Sequence, residues 1–133
     1  MDKIDWHAGF VPAMKLELRE SGRNLIYDNE YYVDNRGHRI DLLIIKNKRN
    51  YQIPRQICSI FDKYNIIEYK APDDNPTLGD FYNTISYACL YLRDNYEYDK
   101  YGRDAFTVTL ISTGYPRKVF DQLARDGMYH HKI

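Results

Sequence analysis

The sequence predicts a three-layer α/β domain in which a mixed four-stranded sheet is flanked by helices. Three observations lead there. Apolar residues recur at helical spacing near the start of the chain, again after residue 78, and again at the end. Between the first two helices lie three short runs rich in Tyr, Leu and Ile, and a fourth β-rich run precedes the last helix. The chain has 133 residues, 44% of them apolar and 29% charged, as expected of one globular domain with its own core.

Residues 9–21 carry Phe10, Ala13, Met14, Glu17 and Leu18 on one helical stripe, with Pro12 in the first turn and Ser21-Gly22 as the stop. Residues 24–33 read as a strand, Asp34-Asn35-Arg36-Gly37 as a turn, and residues 39–46 as the partner strand of a hairpin. The unbroken run Leu42-Leu43-Ile44-Ile45 implies burial on both faces. Residues 54–61 suit a short helix and residues 64–70 a third strand, ended by Ala71-Pro72-Asp73-Asp74-Asn75-Pro76. A long helix over residues 78–95 would face inward through Leu78, Phe81, Tyr82, Ile85, Cys89 and Leu92. Residues 105–112 make the fourth strand. The last helix starts at Pro116, is closed by Gly127, and buries Val119, Phe120 and Leu123. The tail from Met128 has no stop signal, so the expectation is one domain over residues 1–133, shortened at its C-terminus.

Nineteen basic residues balance nineteen acidic ones, so any affinity for a polyanion must come from local patches. Cys58 and Cys89 have neither metal-ligand nor disulfide-framework spacing and suit reduced thiols in a cytoplasm. Asp2-Lys3-Ile4-Asp5 is polar where a secretory leader is apolar, so no leader is expected. The longest apolar run has four residues against the roughly 20 of a membrane span, so no membrane is expected.

The chemistry is expected where charge meets burial. Asp41 runs directly into four aliphatic residues, and Glu68 and Lys70 follow Ile66-Ile67 on a strand. Residues two apart on a strand share a face, so Glu68 and Lys70 point the same way, and hairpin geometry can bring Asp41 beside them. Two carboxylates at one end of a sheet repel each other unless a cation lies between them, and such hard oxygen ligands suit Mg²⁺ or Mn²⁺. In phosphodiester hydrolysis that ion polarises the phosphate and activates water, while a neighbouring lysine orients the water or neutralises developing charge. The Tyr69 carbonyl is a candidate further ligand, and Glu17, on the apolar stripe of the first helix, a candidate support. A Glu-x-Lys triplet by itself specifies nothing, but Glu68-Tyr69-Lys70 is the only acidic-x-Lys in the chain. The plain alternative is a set of solvent-facing charges at strand ends.

The layout together with Asp41, Glu68 and Lys70 resembles the PD-(D/E)xK nuclease superfamily. Trp6-His7-Ala8-Gly9-Phe10, Arg39-Ile40-Asp41-Leu42-Leu43-Ile44, Asn65 through Asp74 and Tyr115-Pro116-Arg117-Lys118 are similar to a bacterial subgroup of transposase-like, recombination-promoting nucleases. The resemblance covers essentially the whole chain. It implies a restriction-endonuclease-like αβββαβ core and Mg²⁺- or Mn²⁺-dependent hydrolysis of DNA. Asp41 and Glu68 would hold metal, Lys70 would be the catalytic lysine, and Glu17 the supporting glutamate. Asn83-x-x-x-Tyr87 is similar to a Gln-x-x-x-Tyr pattern of an exonuclease-like branch, with Asn replacing Gln. Ile40 stands where the superfamily's proline would be. Members of the subgroup run on past Lys132-Ile133, which fits a shortened chain.

The candidate phosphate contacts are Lys46, Lys48 and Arg49 after the second strand and Arg117 and Lys118 at the last helix, and Asn83 and Tyr87 are further candidate nucleic-acid contacts that would line a cleft or else face water. Tyr96, Tyr98 and Tyr101, with Lys100 and Arg103, are candidates to stack on a single strand. His7 and His38 read as surface or capping residues, and His130-His131 as no metal site, because adjacent side chains diverge. The expected partner is DNA, with RNA as the other polynucleotide of the same chemistry, and a homodimer is included. Two alternatives stand beside the nuclease. One is a catalytically inactive nuclease-fold domain that binds nucleic acid or a protein, and the other a hydrolase of small phosphoesters.

Overall fold

The computed structural model describes residues 6–29, 31–95, 100 and 103–127. Helix α1 (Trp6–Glu17) is followed by strand β1 (Leu25–Asp28), β2 (Leu42–Lys46) and β3 (Tyr64–Tyr69). Helix α2 (Leu78–Asp94), strand β4 (Phe106–Ile111) and helix α3 (Arg117–Arg125) complete the order. The strands form one mixed sheet in the order β1-β2-β3-β4, antiparallel across the first two pairs and parallel between β3 and β4. The parallel pair requires a crossover, which α2 supplies. The chain is therefore α/β, with a four-stranded mixed sheet and helices on both faces.

The two faces follow from the period of two along each strand. Leu42, Ile44 and Ile67 pack with Phe10, Met14 and Leu18 of the α1 region, while Leu43, Tyr64 and Ile66 pack with Ala88 and Tyr91 of α2. The run from Leu42 is thus buried on both sides, as its lack of alternation predicts. On α1 the inward line is Phe10, Met14 and Leu18, spaced by four, and Ala13 and Glu17 are exposed. The helix starts earlier than predicted, which puts Pro12 in its interior. It ends in a 3₁₀ segment, Arg19–Asn24.

The predicted hairpin is one antiparallel register with a gap in it. Asp28 pairs with Leu43, and farther out Tyr32 bridges Arg39 in the same alignment, but the ladder between them is broken. The turn has the expected chemistry: the Asp34 carboxylate accepts from the Arg36 and His38 amides, and Gly37 adopts φ +89. Asp41 lies in the gap, and its amide donates to the Glu68 carboxylate of β3. Residues 54–61 hold only a 3₁₀ turn, Gln56–Cys58.

Helix α2 is rotated from the predicted stripe. Its buried residues are Thr84, Ala88 and Tyr91, while Tyr82 is 48% exposed and Cys89 is exposed too. Small side chains at 84 and 88 let the helix sit close to the sheet, and the Thr84 hydroxyl is satisfied by donating to the Asp80 carbonyl at 2.8 Å. Helix α3 buries Val119 and Leu123, and Gly127 at φ +80 ends it as expected. No helix among the described residues is long and apolar enough to cross a membrane.

Candidate active site

The β2–β3 register runs from Ile45 opposite Tyr64 to Leu42 opposite Ile67. One further step sets Asp41 opposite Glu68, just where β2 stops. There side chains replace the ladder. The Asp41 amide donates to Glu68 Oε1 at 3.2 Å, and the Tyr69 amide donates to Asp41 Oδ2 at 2.9 Å. Each carboxylate is therefore held by the other strand's backbone. Burial first, then the facing Asp41 carboxylate, push the Glu68 carboxyl up to about 8. A partly buried pair of this kind is stabilised by a proton or a cation between its members and strained without either.

Lys70 continues β3, its amide donating to the Ile111 carbonyl at 2.8 Å. Its ammonium lies 3.0 Å from Asp80 Oδ1 and 3.6 Å from Asp74 Oδ2. Burial pulls the Lys70 pKa down, but the bond to Asp80 and the charges of both aspartates outweigh it and hold the pKa above the ordinary lysine value. Burial likewise opposes ionisation of Asp80, yet Lys70 and the bonds from Thr77 keep its carboxyl below the usual range. Asp80 does two jobs. It closes a capping box with Thr77 at the start of α2, and it fixes the ammonium of Lys70.

Two more residues converge on the pair. Tyr87 shares the inward side of α2 with Asp80 and Thr84, where the rotation of the helix puts it. Its hydroxyl pKa is raised, by burial first and then by the charges of Glu68, Asp34 and Asp41. Asn83, one turn earlier, is exposed. From the other face, His7 of α1 lies with Nε2 3.0 Å from the Tyr69 carbonyl and 3.9 Å from Asp41 Oδ2. A carbonyl only accepts, so Nε2 carries the hydrogen. The His7 and Phe10 rings also pack edge-on and stacked against Tyr69, at 5.4 Å and 4.8 Å between centroids. They pin the Glu68–Lys70 backbone from the α1 side.

The structure corrects several site expectations. Glu17 is not at this centre: it is exposed and pairs with Arg55 at 3.1 Å. It stands ten residues from His7 on α1, ~15 Å along a helix rising about 1.5 Å per residue. The first-helix side chain at the carboxylates is therefore His7, read from sequence as a surface or capping residue. Lys46 is no surface contact. It is 3% exposed, and its ammonium donates to the Tyr51 and Phe61 carbonyls at 2.7 and 3.2 Å. Arg49 pairs with Asp62 at 2.6 Å. Lys48, Arg117 and Lys118 are exposed. His38 bonds Asp34 in its own turn, as a surface residue. Tyr96, Tyr98, Tyr101 and His130-His131 lie outside the described residues.

Asp80 was missed altogether. The available signal was Thr77-x-x-Asp80 ahead of a helical run, a capping-box pattern with the acid two residues beyond Leu78. Among the described residues no group of three or more His, Cys, Asp or Glu gathers as a metal cluster. The donors on hand are two carboxylates and the Tyr69 carbonyl, which His7 engages. That set fits Mg²⁺ or Mn²⁺, which are held by one or two protein carboxylates with water and substrate filling the remaining positions.

Comparison of the chain with protein-family models, with curated proteins and with solved structures found no match.

Proposed function

We propose that the protein is a metal-dependent nuclease hydrolysing DNA phosphodiester bonds, RNA being the other substrate of the same chemistry. One observation supports this reading above the others: Asp41 and Glu68 are held face to face in a partly buried site at a strand end, with Glu68 two residues before a charged lysine. Mutual repulsion disfavours such a pair in a structural role, and binding of a divalent cation relieves it. The order of elements and the mixed sheet are compatible with a restriction-endonuclease-like core.

A bound Mg²⁺ or Mn²⁺ would supply Lewis-acid polarisation of the scissile phosphate and a more acidic water. The chain's own residues do the rest. Asp41 and Glu68 provide the oxygen ligands, and the amides of Tyr69 and Asp41 keep those carboxylates facing each other. Lys70, kept cationic by Asp80, provides positive charge beside the reacting phosphate. His7 holds the Tyr69 carbonyl and thereby the strand backbone between Glu68 and Lys70.

The engagement of Lys70 by Asp80 and Asp74 favours a second reading, a catalytically inactive nuclease-fold domain that binds nucleic acid or a protein partner. One experiment separates the two. Plasmid and single-stranded DNA are incubated with Mn²⁺ and the wild-type chain, Glu68→Ala or Lys70→Ala. The nuclease reading expects cleavage by the wild type alone. Cleavage surviving both substitutions sinks the site assignment, and equal inactivity of all three favours the inactive domain.

A further inference from the structure

A cleft of about 400 Å³ opens beside the carboxylate pair, between α1 and the hairpin. Its lining includes His7, Phe10, Lys15, Asn29, Arg39 and Asp41. Asp41 and His7, 3.9 Å apart, mark the end at the candidate active site. Lys15 follows His7 by eight residues on the same helix, ~12 Å away at about 1.5 Å per residue.

The charges of the cleft are arranged for a polyanion although the whole chain is neutral. Lys15 and Arg39 are exposed, and among the described residues neither has a carboxylate at ion-pair distance. Each is instead positioned over an aromatic face: Lys15 Nζ is 5.4 Å from the Tyr27 ring centroid, and the Arg39 guanidinium is 5.9 Å from that of Tyr32. Tyr32 is 57% exposed. Two cations without carboxylate partners among the described residues, one of them over the exposed ring of Tyr32, are the components of a single-strand binding groove. The volume is that of a small-molecule site, of a size with one or a few unpaired nucleotides.

We infer that this cleft seats a single-stranded nucleic acid entering the Asp41–Glu68 site, with backbone phosphates against Lys15 and Arg39 and a base on Tyr32. The inference rests on the nuclease reading for the direction of the strand, but binding and cleavage are measured separately. A labelled oligothymidylate, an oligouridylate of equal length and a hairpin duplex are titrated in EDTA, with anisotropy as the readout. The wild type is expected to bind the single strands more tightly than the duplex. Lys15→Ala with Arg39→Ala is expected to weaken single-strand binding roughly tenfold and to flatten its salt dependence by about 1.4 in log–log slope, from two lost phosphate contacts. Tyr32→Ala is expected to weaken it further without changing that slope, whereas Arg125→Ala on α3 leaves binding unchanged. All these substitutions are of exposed side chains, and circular dichroism checks that each variant folds. Wild-type affinity retained in the double variant overturns the inference, as does tighter binding of the duplex or no binding at all. Binding that depends on Lys15 and Arg39 in a wild type that cuts nothing retains the cleft and removes the nuclease reading. Cleavage lost in Glu68→Ala with binding intact supports both.

Discussion

At the scale of single residues, Glu68 is the most consequential group in the chain. Its carboxyl ordinarily titrates at 4.5, and in the fold it is pushed up to about 8 by burial and by Asp41. Between those values the folded state holds a proton that the unfolded chain has released. Stability therefore falls as pH rises through that window and levels off above it. Without divalent cations, the melting temperature is expected to drop by about 5 °C or more between about pH 5 and about pH 8.5 through this group. Glu68→Gln keeps the shape and cannot ionise, so its melting temperature should be nearly flat over the same range. A thermal melt series on both proteins checks this, and parallel curves would deny the pair its electrostatic strain. Lys46 is the contrasting residue. Burial lowers its pKa, and its ammonium satisfies two carbonyls inside the fold, so its charge serves structure rather than ligand binding.

At the scale of elements, α2 connects stability to the site through its first turn. The Thr77 hydroxyl accepts from the Asp80 amide at 3.1 Å, and the Thr77 amide donates back to the Asp80 carboxylate at 2.8 Å. Thr77→Ala removes one half of that box and is expected to cost about 1 kcal/mol of unfolding free energy. Asp80→Ala removes the other half and also the nearer of the two carboxylate partners of the partly buried Lys70, so it should cost more than Thr77→Ala. Urea denaturation of the two variants gives both values. The order reverses if Asp80 serves the cap alone. The rotation of α2 has the same root. A purely hydrophobic stripe would have faced Phe81, Tyr82 and Ile85 to the sheet. Burying Thr84 and Ala88 instead brings the helix near enough for Asp80 to reach Lys70 and for Tyr87 to approach Glu68.

At the scale of the whole molecule, helices from opposite faces of the sheet meet at one strand end, α1 bringing His7 and α2 bringing Asp80 and Tyr87. A cation that replaces the proton between Asp41 and Glu68 binds only the folded chain, so it must raise global stability. At about a hundredfold excess over its Kd, Mn²⁺ is expected to add about 2.7 kcal/mol. A thermal shift above pH 8 measures it, EDTA should reverse it, and Glu68→Ala should abolish it. An equal shift in the variant would locate the ion elsewhere. Because this readout needs no turnover, it tests metal binding whether or not the chain cleaves DNA.

The element types and their order could be read from residue pattern, because burial on one or both faces of a strand and the 3.6-residue period leave marks in local sequence. The approach of Asp41 to Glu68 was also legible, since charge beside an aliphatic run is costly unless it is paired. Three things only the tertiary structure decided. The aspect of α2 depends on close packing of small residues, which a count of hydrophobicity misses. Whether Glu17 or His7 reaches the carboxylates depends on which end of α1 lies over the strand ends, and periodicity is the same in either case. The pairing of Lys70 with Asp80 joins a strand to a helix cap across a loop. In the sequence, that carboxylate looks like a capping residue and nothing more.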